Sequence, residues 1–195
     1  MNHFAHLVLS QPTVASTVGN LLGDFARGVD LQTLPTAVMA GLLNHRAVDR
    51  FTDAHPLVQR MKTGFSPARR RFAGIALDIY FDYLLINHWD RFEQRNQAQL
   101  VSGFYRRMHQ GQALMPGEDM QRVTRRMIDY DWFGRYRDID SIAESMDRVA
   151  ARIRFRNCFA NAIEDIERNQ AMIRKGFFQF YPQLQAHIAA LGIER

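Results

Sequence analysis

Cysteine is almost absent: Cys158 is the only one in 195 residues. That excludes an intramolecular disulfide and a thiolate-based zinc cluster, and it fits a reducing cytoplasm. Long apolar runs are missing too. No stretch approaches the ~20 residues of a membrane-spanning helix, and Met1 to Ser10 lacks the basic n-region of a secretory signal, so a soluble protein with no membrane partner is expected. Glycine and proline are sparse, at 12 and 6 residues, and fall mostly between long segments of helical periodicity. Lysine is scarce as well. Only Lys62 and Lys175 join the arginines among 25 basic residues, which against 20 acidic ones leave a net charge of +5. Such an arginine surplus favours carboxylates and phosphates, which a planar guanidinium grips bidentately. The arginines are dispersed and no helix-turn-helix stands out, which speaks against sequence-specific nucleic-acid recognition.

What is present reads as one all-α domain over residues 1–195, a helical bundle long enough for one core and too short to need two. Pro35 opens a helix that runs through His45 and Asp49 to about Thr52, and Pro56 starts another over Leu57 to Phe65. Ser66 and Pro67 have the pattern of an N-cap and first helical residue, predicting a helix with Arg69, Arg70 and Arg71 in its first turns that becomes apolar from Ile75 to Leu85. Asp90 to Met115, Glu118 to Ile128, Ile139 to Phe155 and Cys158 to about Lys175 complete the helices. Aromatic Phe177 to Tyr181, ahead of Pro182, is expected to pack back across the core. Met1 to Leu9 reads equally as a short helix or an extended lead-in.

Polar residues inside these apolar helices mark the candidate chemistry. In Asn44 to Asp53, His45, Asp49 and Asp53 fall at i, i+4 and i+8 on one helix face, flanked by Arg46 and Arg50. Asp78 and Asp82 repeat the spacing within Ile75 to Ile86, and Asp24 ends the run Gly19-Asn20-Leu21-Leu22-Gly23. A carboxylate in a core-facing helix needs compensation: an internal ion pair, an N-cap on a neighbouring helix, or a cation. Carboxylates and imidazoles without thiolate suit Mn²⁺, Mg²⁺ or Fe²⁺, and such an ion polarises a phosphoryl oxygen, which makes phosphoester hydrolysis the natural chemistry. His6, among apolar neighbours, is either a core histidine or a member of the site. Arg46 and Arg50 either face phosphate or pair with Asp49 and Asp53.

Several motifs occur together and in order: Met1-Asn-His-Phe-Ala-His-Leu7, Gly19-Asn-Leu-Leu-Gly-Asp24-Phe, His45-Arg-Ala-Val-Asp49, Leu77-Asp78-Ile-Tyr-Phe-Asp82, His88-Trp89 and Phe178-Gln-Phe-Tyr-Pro182. In this the chain resembles the acyl carrier protein phosphodiesterase family, itself similar to a distorted, all-helical HD-domain phosphohydrolase. The resemblance implies Mn²⁺-dependent removal of 4′-phosphopantetheine from the serine of holo acyl carrier protein. It also implies that Asp24, His45, Asp49, Asp78 and Asp82 build the metal and catalytic site. His6 would complete the shell or act on the leaving serine oxygen, and Arg46 and Arg50 would face the phosphodiester. Arg69, Arg70 and Arg71 would steer the acidic carrier protein, unless they are simply solvated. The family commonly has Asp-His where this chain has Asp82-Tyr83, so no role of that histidine transfers, although His88 lies five residues later. Two other readings remain open at this level: an HD-like enzyme acting on a nucleotide or another small phosphoester, and a non-catalytic helical adaptor for an acidic protein.

Overall fold

The computed structural model describes residues 1–194, and every regular element among them is helical. In chain order the α-helices are α1 (His3–Val8), α2 (Val14–Leu22), α3 (Thr36–Ala54), α4 (Pro56–Thr63), α5 (Ala73–Asn87), α6 (Gln97–Gln110), α7 (Glu118–Asp129), α8 (Trp132–Arg135), α9 (Ile139–Arg152), α10 (Ile163–Arg168) and α11 (Gln170–Leu191). Local chemistry sets many of the boundaries. The side chains of Thr13, Asn96 and Asp138 accept first-turn amides of α2, α6 and α9, and Pro56 occupies the first position of α4.

Helix α5 is the axis of the bundle. It buries Leu77, Ile79, Tyr80, Phe81, Leu84 and Leu85 around most of its circumference and packs against α1, α4, α9, α10 and α11. Asp82 is therefore held where water is scarce, while Asp78 stays partly exposed. Helices α2 and α3 cross backbone to backbone. A Cβ added at Gly19 would stand 2.2 Å from the Val38 carbonyl oxygen, and one at Gly41 would stand 2.9 Å from the Gly19 Cα. Only glycine permits this approach, which carries Asn20 to within hydrogen-bonding distance of Asn44 and His45. Among the described residues no helix is long and apolar enough to cross a membrane.

Three boundaries differ from the sequence reading. Ser66 does not cap a helix through Arg69–Arg71: its amide and hydroxyl donate to the buried Asp165 carboxylate, at 3.3 and 2.8 Å. The chain turns there, passes through a 3₁₀ turn at Arg70–Phe72, and enters α5 only at Ala73. The segment from Cys158 to Lys175 is divided rather than continuous, because Asn169 sits between α10 and α11 and donates to the carbonyls of Gly64 and Asp165. Pro182 does not end the aromatic segment either. Phe177 to Tyr181 is helical and α11 runs on to Leu191, because burial of Phe177, Phe180, Tyr181, Leu184 and Ile188 outweighs the roughly 3 kcal/mol an interior proline costs. Met1 to Leu9 resolves as the short helix α1.

The crossing of α2 and α3 gives a direct test. Gly19→Ala should lower stability to urea by roughly 1–3 kcal/mol through forced separation of the two helices. Gly74→Ala, whose Cβ would meet only the end of the Lys62 side chain at 3.6 Å, should be neutral or stabilising. Equal effects of the two substitutions would contradict the close crossing.

Candidate metal-binding active site

The site begins with a contact between α5 and the chain's first helix. Asp82 is completely buried, and its two oxygens accept the amides of Phe4 (2.8 Å) and Ala5 (3.0 Å). These are first-turn donors of α1, which the side chain of Asn2 at the cap position leaves unsatisfied. Asp82 thus caps α1 from another helix, with its charge at the positive end of the helix dipole. Burial is the larger influence and drives its carboxyl up to about 7 in spite of the two amides. With both oxygens committed, Asp82 is turned away from the ligand role expected of it: of the three alternatives open for a buried aspartate, it takes the cap.

Capping fixes α1, and α1 presents His6 to α3. The His6 ring stacks on His45 with centroids 3.8 Å apart, and its Nε2 lies 3.1 Å from the Met1 carbonyl oxygen and 3.2 Å from Asp49 Oδ1, so in the neutral ring Nε2 carries the proton and Nδ1 the lone pair. The His45 Nδ1 lies 2.7 Å from the carbonyl oxygen of Asn20. A carbonyl only accepts, so this nitrogen carries the proton and the neutral ring's Nε2 is a bare lone pair. That lone pair faces Asp49 Oδ2 at 3.0 Å. Two acceptors face each other across a gap that needs a proton or a cation. Gly23 makes room for the ring, since a Cβ there would lie 2.1 Å from His45 Cδ2.

Ligand atoms from His6, His45 and Asp49 all lie within 4.8 Å of one another. Two ligands of one ion, each at roughly 2.0–2.2 Å, span at most about 4.4 Å, so the trio is close to the spacing that one ion requires. The other properties of the trio agree with that use. Burial pushes the His6 pKa down to about 4, which keeps its imidazole neutral, and His6 Nδ1 has no hydrogen-bond partner. Both imidazoles are buried, at 1% and 4% exposure, whereas the Asp49 side chain remains 42% exposed. Imidazoles form the back wall and carboxylates the mouth. These residues fit a divalent cation.

Asp78 and Asp24 extend the mouth on either side. The Met1 α-amino nitrogen lies 2.8 Å from Asp78 Oδ1 and 3.5 Å from Asp49 Oδ1, so the gap between the two carboxylates accommodates a positive charge. Burial raises the Asp78 pKa, and the ammonium opposes that rise. Asp24, in the 3₁₀ turn Gly23–Phe25 that follows α2, places Oδ2 2.9 Å from His3 Nδ1. Burial opposes both charges, but their mutual attraction prevails: the His3 pKa is raised and the Asp24 carboxyl is held below its usual range.

The remaining candidates separate into free and engaged. Arg46 and Arg50 are exposed and, among the described residues, form no ion pair with Asp49 or Asp53; Asp53 pairs instead with Lys62 at 3.0 Å. Arg69 to Arg71 are engaged in the fold. Arg69 bonds Glu164 and the carbonyls of Cys158 and Ala160, Arg70 bonds the carbonyls of Thr63 and Phe65, and Arg71 bonds the Arg156 carbonyl while its guanidinium lies over Phe72 and Phe155. Arg69 and Arg71 tie the turn before α5 to the segment before α10, and Arg70 braces the turn itself. Tyr83 stacks on Tyr80, and His88 packs edge-on against Phe178. Sequence reasoning assigned no role to His3 or Asn20. The pair His3 and His6, at i and i+3, carries a signal only once Met1 to Leu9 is known to be helical.

The Asp82 cap has a pH signature. Between the ordinary carboxyl value of 3.8 and about 7, the folded chain holds a proton at Asp82 that the unfolded chain has released. Stability conferred by this group therefore falls as pH rises through that window and levels off above it. Asp82→Asn removes the titration and leaves one oxygen for two amides. Urea unfolding at about pH 5 and about pH 8 should show the stability difference moving in the variant's favour as pH rises, and a difference independent of pH would contradict the assignment.

Comparison with known proteins identifies the family. The family model described as acyl carrier protein phosphodiesterase matches residues 1–184. A protein of that name from Enterobacter sp. (strain 638) is 32% identical over 187 residues, covering 94% of this chain and 95% of its own. Another from Serratia proteamaculans (strain 568) is 34% identical over 193 residues, again covering 94% and 95%. A third, from Photorhabdus laumondii subsp. laumondii, is 33% identical over 184 residues, covering 94% and 93%. No solved structure matches. A full-length match of this kind, on a helical chain that gathers imidazoles and carboxylates at one mouth, places the protein in the acyl carrier protein phosphodiesterase family.

Proposed function

We propose that this chain uses water to cleave the phosphodiester between 4′-phosphopantetheine and the serine of holo acyl carrier protein, yielding apo carrier protein and 4′-phosphopantetheine. The reaction depends on a divalent cation, Mn²⁺ in preference to Mg²⁺ or Fe²⁺, held by His6, His45 and Asp49 with Asp78 beside them. The observation that carries the metal reading is the bond from His45 Nδ1 to the Asn20 carbonyl, which leaves the Nε2 lone pair facing Asp49. The substrate is inferred from the family. When bound, the cation supplies charge neutralisation for the phosphoryl oxygens and acidifies water. The protein's own groups do the rest. Exposed Arg46 and Arg50 on α3 supply guanidinium charge toward the phosphodiester, and His3, whose pKa the neighbouring Asp24 raises against the effect of burial, is the proton donor for the leaving serine oxygen. The single cysteine, exposed and free, suits a reducing cytoplasm.

Holo carrier protein incubated with the chain and Mn²⁺ should lose the mass of the arm, and a folded, metal-loaded preparation that leaves the arm in place would end the proposal. His45→Gln should reduce turnover by about 100-fold or more and weaken Mn²⁺ binding measured by titration calorimetry. Asp53→Asn, which alters only the pair with Lys62, should change neither. Undiminished Mn²⁺ affinity in His45→Gln would remove the trio from the metal site.

A further inference from the structure

The acidic mouth continues into a groove of opposite charge. Helices α7, α8 and α9 enclose about 420 Å³ next to Asn2 and His3, over an apolar floor that includes Ile79, Val123 and Val149. Its rim carries four exposed arginines: Arg126, Arg135, Arg148 and Arg152. Only one carboxylate pairs with them among the described residues. Glu144 is shared by Arg135 at 3.1 Å and Arg148 at 3.2 Å, while Arg126 and Arg152 have no ion-pair partner. Arg148 and Arg152 stand at i and i+4 on α9, a like-charge pair that an anionic partner would relieve further than Glu144 does. Unlike Arg69 and Arg71, none of the four ties two distant segments of the fold together.

The geometry points to this groove as the docking surface for the acidic face of the carrier protein, its carboxylates reaching the arginine rim while the phosphodiester lies past His3 at the metal-binding trio. The inference rests on the carrier-protein reading above and assigns the partner's place. Discrete carboxylates match separate guanidinium forks. A nucleic acid fits less well, because the Glu144 carboxylate lies between Arg135 and Arg148 and the Asp24 carboxylate, paired with His3, stands at the groove's end.

The test compares wild type with Arg148→Glu/Arg152→Glu and the milder Arg126→Ala/Arg152→Ala, each checked for folding by circular dichroism. For holo carrier protein, the reversal pair should raise KM about tenfold or more with kcat within about twofold, and the alanine pair should raise it about threefold. Apo carrier protein binding, followed by calorimetry, should weaken in parallel. Raising salt from about 50 to about 300 mM should weaken wild-type binding more than variant binding. Should wild type release no arm while the variants still weaken carrier binding, the groove stands and the hydrolytic reading falls. Arm release with KM and affinity unchanged in both variants overturns the groove, as would tighter binding of a DNA or RNA oligonucleotide through the same arginines.

Discussion

The arrangement depends on a buried carboxylate gripping the start of a helix too short to stand alone. Six residues make little more than one helical turn, and such a segment is unstable in water because its nucleus costs more than its few hydrogen bonds return. Helix α1 exists because Phe4, Ala5, Leu7 and Val8 are buried and because Asp82 satisfies two of its orphan amides. Leaving those amides unpaired would cost roughly 1–3 kcal/mol each, which is enough to offset much of the desolvation of one aspartate. Since His3 and His6 both lie on α1, their places in the site are set by a residue on α5 that touches neither.

Asn20 plays the corresponding part for the other imidazole. Its amide group donates to the Ser16 carbonyl, its side-chain oxygen accepts from Asn44, and its backbone carbonyl accepts from His45 Nδ1. The contacts with Asn44 and His45 require α2 and α3 to lie close, and Gly19 with Gly41 allows that. The tautomer of His45 therefore traces back to two missing side chains: without them the helices separate, the Asn20 carbonyl recedes and the ring loses the partner that fixes its proton.

These dependencies explain which parts of the site were legible in the sequence. His45 and Asp49 stood out because both lie on one long helix, where spacing alone puts them on a common face. Asp78 and Asp82 have the same residue type, spacing and apolar setting, yet one opens at the mouth and the other caps α1. What separates them is the backbone of α1 packed against α5, a tertiary fact that no local pattern encodes. The arginines divide in the same way. Arg69 to Arg71 form the conspicuous cluster and are occupied by carbonyls and aromatic rings, while Arg126, Arg135, Arg148 and Arg152 are scattered over three helices and converge only in the fold. Pro182 shows the converse, a strong local signal overruled by burial on both sides of it.

Charge is the last constraint. Asp24, Asp49 and Asp78 keep roughly two-fifths of their side-chain surface exposed, so the mouth repels the anionic phosphodiester proposed as its substrate. The two imidazoles behind them bring no compensating charge in their neutral form, and His3 is already matched by Asp24. Arg46 and Arg50 reduce the deficit without reaching into the buried trio. In the metal-dependent function proposed, a divalent cation on His6, His45 and Asp49 would change the sign of the field where the phosphate sits, and the arginine rim beyond His3 would attract the rest of an acidic substrate from one side. On that proposal, a mouth that repels phosphate until a cation is bound, beside a groove suited to carboxylates, would tie productive binding as well as chemistry to metal loading.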